Sequence, residues 1–240
     1  MNLCIDQGNS STKIGIFEGN VPVKTMSVSG SESNVIRSVL GNYPITRSMI
    51  SSVTGQADET AALIREKTGH VIVLSHDTKI PFENRYQTPE TLGKDRVAAI
   101  AGAAFLKPGC DVLVIDAGSA ITYDFIDKNN VYHGGNIAPG MDIRLRSLHG
   151  FTEKLPLVAP DAKAALLGND TRSAIASGVL HGIIFEIDGY ISSLKIKYPE
   201  LSTFLTGGST FYFHTKLKNP IFAEKNLVLI GLNRILQFND

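Results

Sequence analysis

Only two cysteines, Cys4 and Cys110, occur in 240 residues, and they stand apart without metal-ligand spacing. A disulfide-stapled secreted fold is excluded; the pair fits a reducing cytosol, and small core positions are the simplest reading of both. The six histidines form no HxxxH or comparable cluster, so no zinc motif is present. No apolar run reaches the roughly 18 residues of a membrane span. The N-terminus enters a strand at once, so no signal segment is expected. Neither sign of charge is in excess: 23 Lys and Arg against 23 Asp and Glu give zero net charge. Bulk electrostatics therefore offers no attraction to nucleic acid or to an anionic membrane. No stretch is low-complexity, and no linker sets off an independent domain.

What is present is ordinary globular composition, 43% hydrophobic and 19% charged, in a chain long enough for one large domain or two small ones sharing a cleft. Residues 3–7, 11–17 and 21–27 read as a three-strand meander. Helices are expected at Ser31–Tyr43, with Ser31 or Ser33 as cap, and at Asp58–Lys67; strands are expected at Met49–Val53 and Val71–Leu74. Residues 75–92, with Pro81 and Pro89, show no period and read as a functional loop. An alanine-rich helix, Thr91–Leu106, follows. The second half repeats the pattern: two strands around Asp116, a third at Val131–Ile137, then helices at Met141–Leu148 and Thr171–Ile196. A strand at Leu201–Leu205 and a last helix at Leu227–Leu236 complete it. This alternation argues for an α/β fold.

Two turns organise the chain. Leu113-Val-Ile-Asp-Ala-Gly118 is a buried strand ending in a carboxylate and a glycine, with Ser119 and Thr122 beyond. Leu3-Cys-Ile-Asp-Gln-Gly8, followed by Asn9, Ser10, Ser11, Thr12 and Lys13, has the same form. A shift of 110 residues places Asp6 on Asp116 and gives eight identities in nineteen positions, from Leu3 to Val21. A carboxylate at the end of a buried strand is costly unless something pairs with it. A glycine two residues on lets the backbone turn tightly and a ligand approach. Two such turns facing one cleft would grip a nucleotide's phosphates and its metal. One repeat at half the chain length implies two related halves, 1–110 and 111–240, rather than a solenoid.

Further motifs occur in order: Tyr86-Gln-Thr-Pro-Glu-Thr-Leu-Gly-Lys-Asp-Arg96, Gly134-Gly-Asn-Ile-Ala-Pro-Gly140, Leu155-Pro156, Gly168-Asn-Asp-Thr171 and Thr206-Gly-Gly208. With the two turns, they make the chain resemble a type III pantothenate kinase throughout its length. That family belongs to the acetate and sugar kinase, Hsp70 and actin superfamily. The resemblance implies two ribonuclease-H-like halves, the actin-like ATPase fold, flanking an ATP cleft. Two departures stand out. Ser119 takes a place more often threonine, which keeps a hydroxyl. Gln7 takes a place more often aliphatic, and either faces the cleft or caps the turn.

The resemblance implies ATP-dependent phosphorylation of pantothenate, the first step towards coenzyme A, in a cytoplasmic homodimer. Asp95 is the expected general base. It follows Gly93 at a helix start, where amides and the helix dipole favour an anion; the plain alternative is a helix-stabilising aspartate. Tyr86, Gly93, Lys94, Arg96 and Thr171 resemble substrate-contacting positions. The Arg96 fork suits a carboxylate or phosphate, with a surface salt bridge as the plain alternative, while Tyr86 reads equally as core and Thr171 equally as the cap of its helix. Asp6 would orient Mg2+ through water. Gln7, Gly8, Asn9, Ser10, Ser11, Thr12, Lys13 and Ser119 fall on the ATP-binding positions, with Lys13 either reaching a phosphate or facing solvent. Asp116 resembles the position that holds K+ or NH4+; a second Mg2+-orienting carboxylate is the alternative. The helix from Thr171 is apolar on more than one face and carries a Gly178-xxx-Gly182 spacing, which by itself reads as a central helix buried within its own half; the resemblance, to a family of homodimers, implies that it contributes to the dimer interface. Two other classes compete. A polyphosphate phosphatase of the same superfamily would need a water-activating residue where Leu-Gly-Lys-Asp-Arg sits and would lack the substrate loop. A regulator is suggested by the family's older name, Bvg accessory factor, but finds no basic stripe here.

Overall fold

The structure, a computed structural model, describes all of residues 1–240. It divides into two compact units: one of Met1–Gly109, Ile126–Gly134 and Asn226–Asp240, the other of Cys110–Phe125 and Gly135–Lys225. This grouping differs from a single division at 110/111 in two segments, and the C-terminal helix is the larger of them.

The first unit is built on a sheet of order β3-β2-β1-β4-β5. Its strands are β1 (Asn2–Gln7), β2 (Thr12–Glu18), β3 (Val21–Val28), β4 (Arg47–Ser52) and β5 (His70–Val73). The meander β1-β2-β3 is antiparallel, whereas β1-β4 and β4-β5 are parallel. Leu3, Ile5, Ile14 and Ile16 alternate along the hairpin. They pack with Ile36 and Val39 of α1 (Ser33–Asn42) and Ala61 and Ile64 of α2 (Ala57–Arg65). The N-cap of α1 is Glu32, not Ser31 or Ser33, and it makes no side-chain capping bond.

Helix α3 (Lys94–Leu106) lies against the last helix, α7 (Leu227–Phe238). The two approach so closely that a Cβ on Gly231 would fall 1.7 Å from the Ala98 carbonyl oxygen, and one on Gly102 would fall 2.4 Å from that of Leu227. Asn233 of α7 accepts from Asn2 Nδ2 at 2.8 Å. These contacts place Asn226–Asp240 in the first unit. The expected start of α3 at Thr91 is corrected to Lys94: Pro89–Thr91 forms a separate 3-10 turn, and Leu92 and Gly93 are extended, with ψ near 127° and 129°. The loop 75–92 also holds a short strand, β6 (Glu83–Asn84), paired in parallel with the start of β9 (Val131–Pro139).

The second sheet has the order β11-β10-β7-β8-β9-β6. Here β7 is Val112–Ala117, β8 Ala120–Ile126, β10 Ser202–Thr206 and β11 Phe222–Ala223. Leu113, Ile115, Ile121 and Tyr123 meet Met141 and Leu145 of α4 (Met141–Gly150). On α5 (Thr171–Lys197) they meet Ile175, Val179, Leu180, Ile183, Ile184, Ile187 and Ile191. Helix α5 is long and apolar enough to cross a membrane by length and composition, with mean hydropathy 1.3, but half of that window is buried within the protein. A core helix has this character. A short α6 (Thr210–Phe213) completes the unit. Cys4 is fully buried, and burial pushes its thiol pKa up, as for an inert packing residue.

Candidate active site

The first turn lies at the open end of β1 and β2. Asp6 and Lys13 are partners in register, so their side chains share one face of the hairpin; Gln7 and Thr12, the next pair, share the other. Lys13 is therefore beside Asp6. Gly8 N donates to Ser11 O at 3.1 Å and closes the turn, with Asn9 and Ser10 exposed at its tip. Gln7 is 1% exposed, and its Nε2 donates to Glu32 Oε1 at 2.5 Å and to Thr60 Oγ1 at 2.8 Å. Thr12 Oγ1 donates to Glu32 Oε2 at 3.1 Å. The side chains of Gln7 and Thr12 thus point away from the Asp6 face, and what they offer a ligand there is backbone.

At the start of α3, Gly93 is the N-cap and Lys94, Asp95 and Arg96 form the first turn. Asp95 is half-buried and its Oδ1 accepts from Arg96 N at 2.9 Å. A Cβ on Gly93 would fall 2.5 Å from that same oxygen, so only glycine leaves the carboxylate its place. Arg96 is 6% exposed; its Nη2 donates to Tyr132 Oη at 3.1 Å and its guanidinium lies 5.5 Å from the Tyr86 ring centre. Tyr86 stacks on Tyr132 at 6.3 Å. A Cβ on Gly134 would fall 3.3 Å from Tyr86, so that glycine makes room for the ring. The structure thus brings Tyr86 and Arg96 together, with Tyr132 as a partner that the motif did not reveal.

In the second unit, Asp116 stands at the end of β7 opposite Thr206 of β10, with Gly118 N donating to Ala120 O at 3.0 Å. Ser119 is exposed at the tip, and its carbonyl accepts from Gly140 N at 3.0 Å. Next to Gly140, Arg144 donates through Nε to Pro139 O and through Nη2 to Glu186 Oε2, both at 2.7 Å, and Tyr123 Oη donates to Glu186 Oε1 at 2.7 Å. Burial, then Glu186, pushes the Tyr123 pKa up. Thr171 is exposed in the first turn of α5 and is not its cap. Asp170 is: its carboxylate accepts from Arg172 N at 2.8 Å and Ser173 N at 3.0 Å, and the Ser173 bonds hold its pKa down. An alternating chain of small polar residues at a helix start does not reveal which one caps.

No group of three or more His, Cys, Asp or Glu comes together to ligate a divalent ion directly. A lone carboxylate such as Asp6 suits instead an Mg2+ that keeps its waters. Strand-end carboxylates beside glycine turns, on two hairpins of an α/β structure, define the class as the actin-like ATPase and sugar kinase fold. Solved structures share that fold. A Campylobacter jejuni protein solved as a member of the Baf family of transcriptional activators superposes with TM-score 0.63 at 24% identity, over 99% of this chain and 98% of that one. A ROK family glucokinase from Streptomyces griseus, in complex with glucose and AMPPNP, gives 0.54 at 12% identity over 99% and 98%. The family profile for type III pantothenate kinase matches residues 2–193. The type III pantothenate kinase of Phocaeicola vulgatus is 48% identical over 240 residues, 100% of this chain and 99% of that protein. The Cytophaga hutchinsonii enzyme of the same name is 44% identical over 239 residues, covering 100% of both. The chain belongs to the type III pantothenate kinase family.

Proposed function

We propose that Asp95 is the general base of this chain's reaction, the ATP-dependent phosphorylation of pantothenate to 4'-phosphopantothenate that begins coenzyme A biosynthesis. The observation that carries the reading is the seat of its carboxylate, held at the α3 N-terminus where only a glycine neighbour leaves it space. Asp95 takes the proton from the primary hydroxyl of pantothenate as that oxygen attacks the γ-phosphorus in line. Tyr86, Lys94 and Arg96 orient the acceptor, with the Arg96 fork on its carboxylate, and Thr171 contributes a hydroxyl. Amides of Gly8 to Ser11 and the Lys13 ammonium meet phosphate oxygens, and Ser119 touches ATP. Asp6 orients Mg2+ through water, and Asp116 holds a monovalent cation, K+ or NH4+. When bound, these cations neutralise charge as it develops on the phosphoryl group.

The chain is read as a duplication with halves 1–110 and 111–240, acting in the cytoplasm without nucleic acid or membrane. It is also read as a two-fold homodimer through α5. Gly178, Gly182 and Gly189 have open space where a Cβ would stand, and Phe185 on the same helix is 56% exposed. Sedimentation equilibrium at micromolar concentration should give twice the 25.9 kDa chain mass; a fully active monomer would remove the dimer. A regulatory reading is supported by the name of the C. jejuni structure, and zero net charge speaks against DNA contact. A coupled ATP assay separates the readings. ADP should appear only with pantothenate present; release without it indicates phosphatase or ATPase chemistry, and none in either condition indicates a regulator.

A further inference from the structure

Behind the first turn lies a buried polar cluster that no role above uses. Glu32, at the N-terminus of α1, is 7% exposed. Its Oε1 accepts from Gln7 Nε2 at 2.5 Å and from Thr60 Oγ1 at 3.3 Å, and its Oε2 from Thr12 Oγ1 at 3.1 Å. Gln7, Thr12 and Thr60 are all buried, and these three donors are neutral. The nearby cation on the same groove, Arg37, pairs with Glu66 instead, at 3.5 Å. An acceptor-only group that takes three donors is well satisfied, and bonds to a charged acceptor are the stronger kind.

What Glu32 binds matters more than how well it is satisfied. Gln7 and Thr12 are the last register pair of the β1-β2 hairpin, immediately flanking Gly8–Ser11. One carboxylate oxygen takes each, so the carboxylate bridges the hairpin's mouth from behind. Asp6 and Lys13, one step back, face the other way. We propose that Glu32 is a positioning residue for the nucleotide. By clamping Gln7 and Thr12 it fixes the aim of the Gly8–Ser11 amides and of Asp6, without touching ATP itself. The proposal rests on the reading that this turn holds ATP phosphates.

The test is a double-mutant cycle on the full-length enzyme with four readouts: KM for ATP, KM for pantothenate, calorimetric Kd for Mg2+-ADP, and melting temperature. Glu32→Leu should raise KM for ATP and Kd for Mg2+-ADP about tenfold, while KM for pantothenate moves less than about twofold. Glu32→Gln should hold both nucleotide constants within about threefold of wild type. Gln7 Oε1 meets no donor, so an amide at position 32 has an acceptor to bind. Adding Gln7→Leu to Glu32→Leu should cause little further loss of affinity, because the clamp on Gln7 is already open in the single variant. Should Glu32→Leu fail to fold, Glu32→Gln and the double variant, which leave no Gln7 donor unmatched, carry the same comparison. A lowered melting temperature with unchanged nucleotide constants overturns the proposal, since the role is then structural. Multiplicative losses in the double variant also overturn it, since Glu32 then acts directly. Wild-type protein that fails to bind Mg2+-ADP or to phosphorylate pantothenate would instead defeat the function proposed above.

Discussion

The two Asp-x-Gly turns are copies in sequence and are held by opposite means. Behind the first, a buried carboxylate gathers Gln7, Thr12 and Thr60. Behind the second, Ala117 stands in place of Gln7, and backbone does the work. A Cβ on Gly140 would fall 2.4 Å from the carbonyl oxygens of Gly118 and Ser119. One on Gly207 would fall 2.4 Å from Asp116 Oδ1 and 2.5 Å from Ala117 O. Ser209 N donates to Ala117 O at 2.9 Å and ties the Gly207 turn in place. Polar support tolerates adjustment as long as donors and acceptors match; a wall of glycine backbone tolerates no added atom. The same turn thus depends on side-chain chemistry in one unit and on absence of side chain in the other.

The largest expected effect calibrates this comparison because it lies outside both turns. Asp95→Asn keeps shape and removes basicity. Turnover should fall by roughly two to four orders of magnitude, with Mg2+-ADP affinity within about twofold. Near-normal turnover would remove Asp95 as the base, and a lost nucleotide affinity would tie α3 to the turns after all.

Next comes the glycine wall. Gly207 has φ of +95°, so alanine there is strained as well as crowded. Gly207→Ala should cost about 2–4 kcal/mol, read as a fall in melting temperature of roughly 5–15 °C, with loss of most activity. Gly8→Ala in the first turn meets only Ser11 O, at 3.3 Å, and should cost less than about 1 kcal/mol. Equal costs at the two glycines would erase the distinction between the turns.

A third prediction asks whether the turns differ in the ion they serve. Turnover should rise severalfold when K+ or NH4+ replaces Na+, and Asp116→Ala should abolish that response while Asp6→Ala acts on the Mg2+ dependence. Equal rates in Na+ and K+ would leave Asp116 as a second Mg2+-orienting carboxylate.

Much of this arrangement was legible in the sequence because the meander keeps its spacing: β1-β2 and β7-β8 superpose under one shift of 110 residues, from Asp6 to Asp116. The copy goes further than the sequence reveals. Ser48 and Ser51 of β4 stand beside Leu3 and Asp6, as Thr203 and Thr206 of β10 stand beside Leu113 and Asp116. From Ser51 to Thr206 the offset is 155 residues, because the connections differ in length, so no single shift aligns them. The Glu32 clamp was hidden for another reason: it sits 25 residues from Gln7 inside a Ser-Glu-Ser run that reads as a helix cap. The return of α7 to the first unit rests on Gly102 and Gly231, whose meeting has no local signature. The start of α3 is hidden in the sequence because Pro89 opens a 3-10 turn, Pro89–Thr91, that looks like part of the longer helix.

The smallest expected effect concerns what the two turns share. Partners in register on parallel strands project to the same side, so Asp6 has Ser51 beside it and Asp116 has Thr206. Both hydroxyls are fully buried and meet no hydrogen-bond partner. Leaving such a group unsatisfied costs about 1–3 kcal/mol, and donation to the carboxylate beside it would satisfy the hydroxyl and aim that carboxylate. Ser51→Ala should therefore raise the Mg2+ concentration needed for half-maximal activity about threefold, and Thr206→Val the K+ concentration by a similar factor. Ser48 and Thr203 supply the control within the same strands. They too are buried without partners, but they stand beside leucines. Ser48→Ala and Thr203→Val should leave both cation constants unchanged and hold or raise the melting temperature, since an unsatisfied hydroxyl is removed. If all four variants behave alike, the paired hydroxyls are a packing feature, and the two turns share their form without sharing this part of their chemistry.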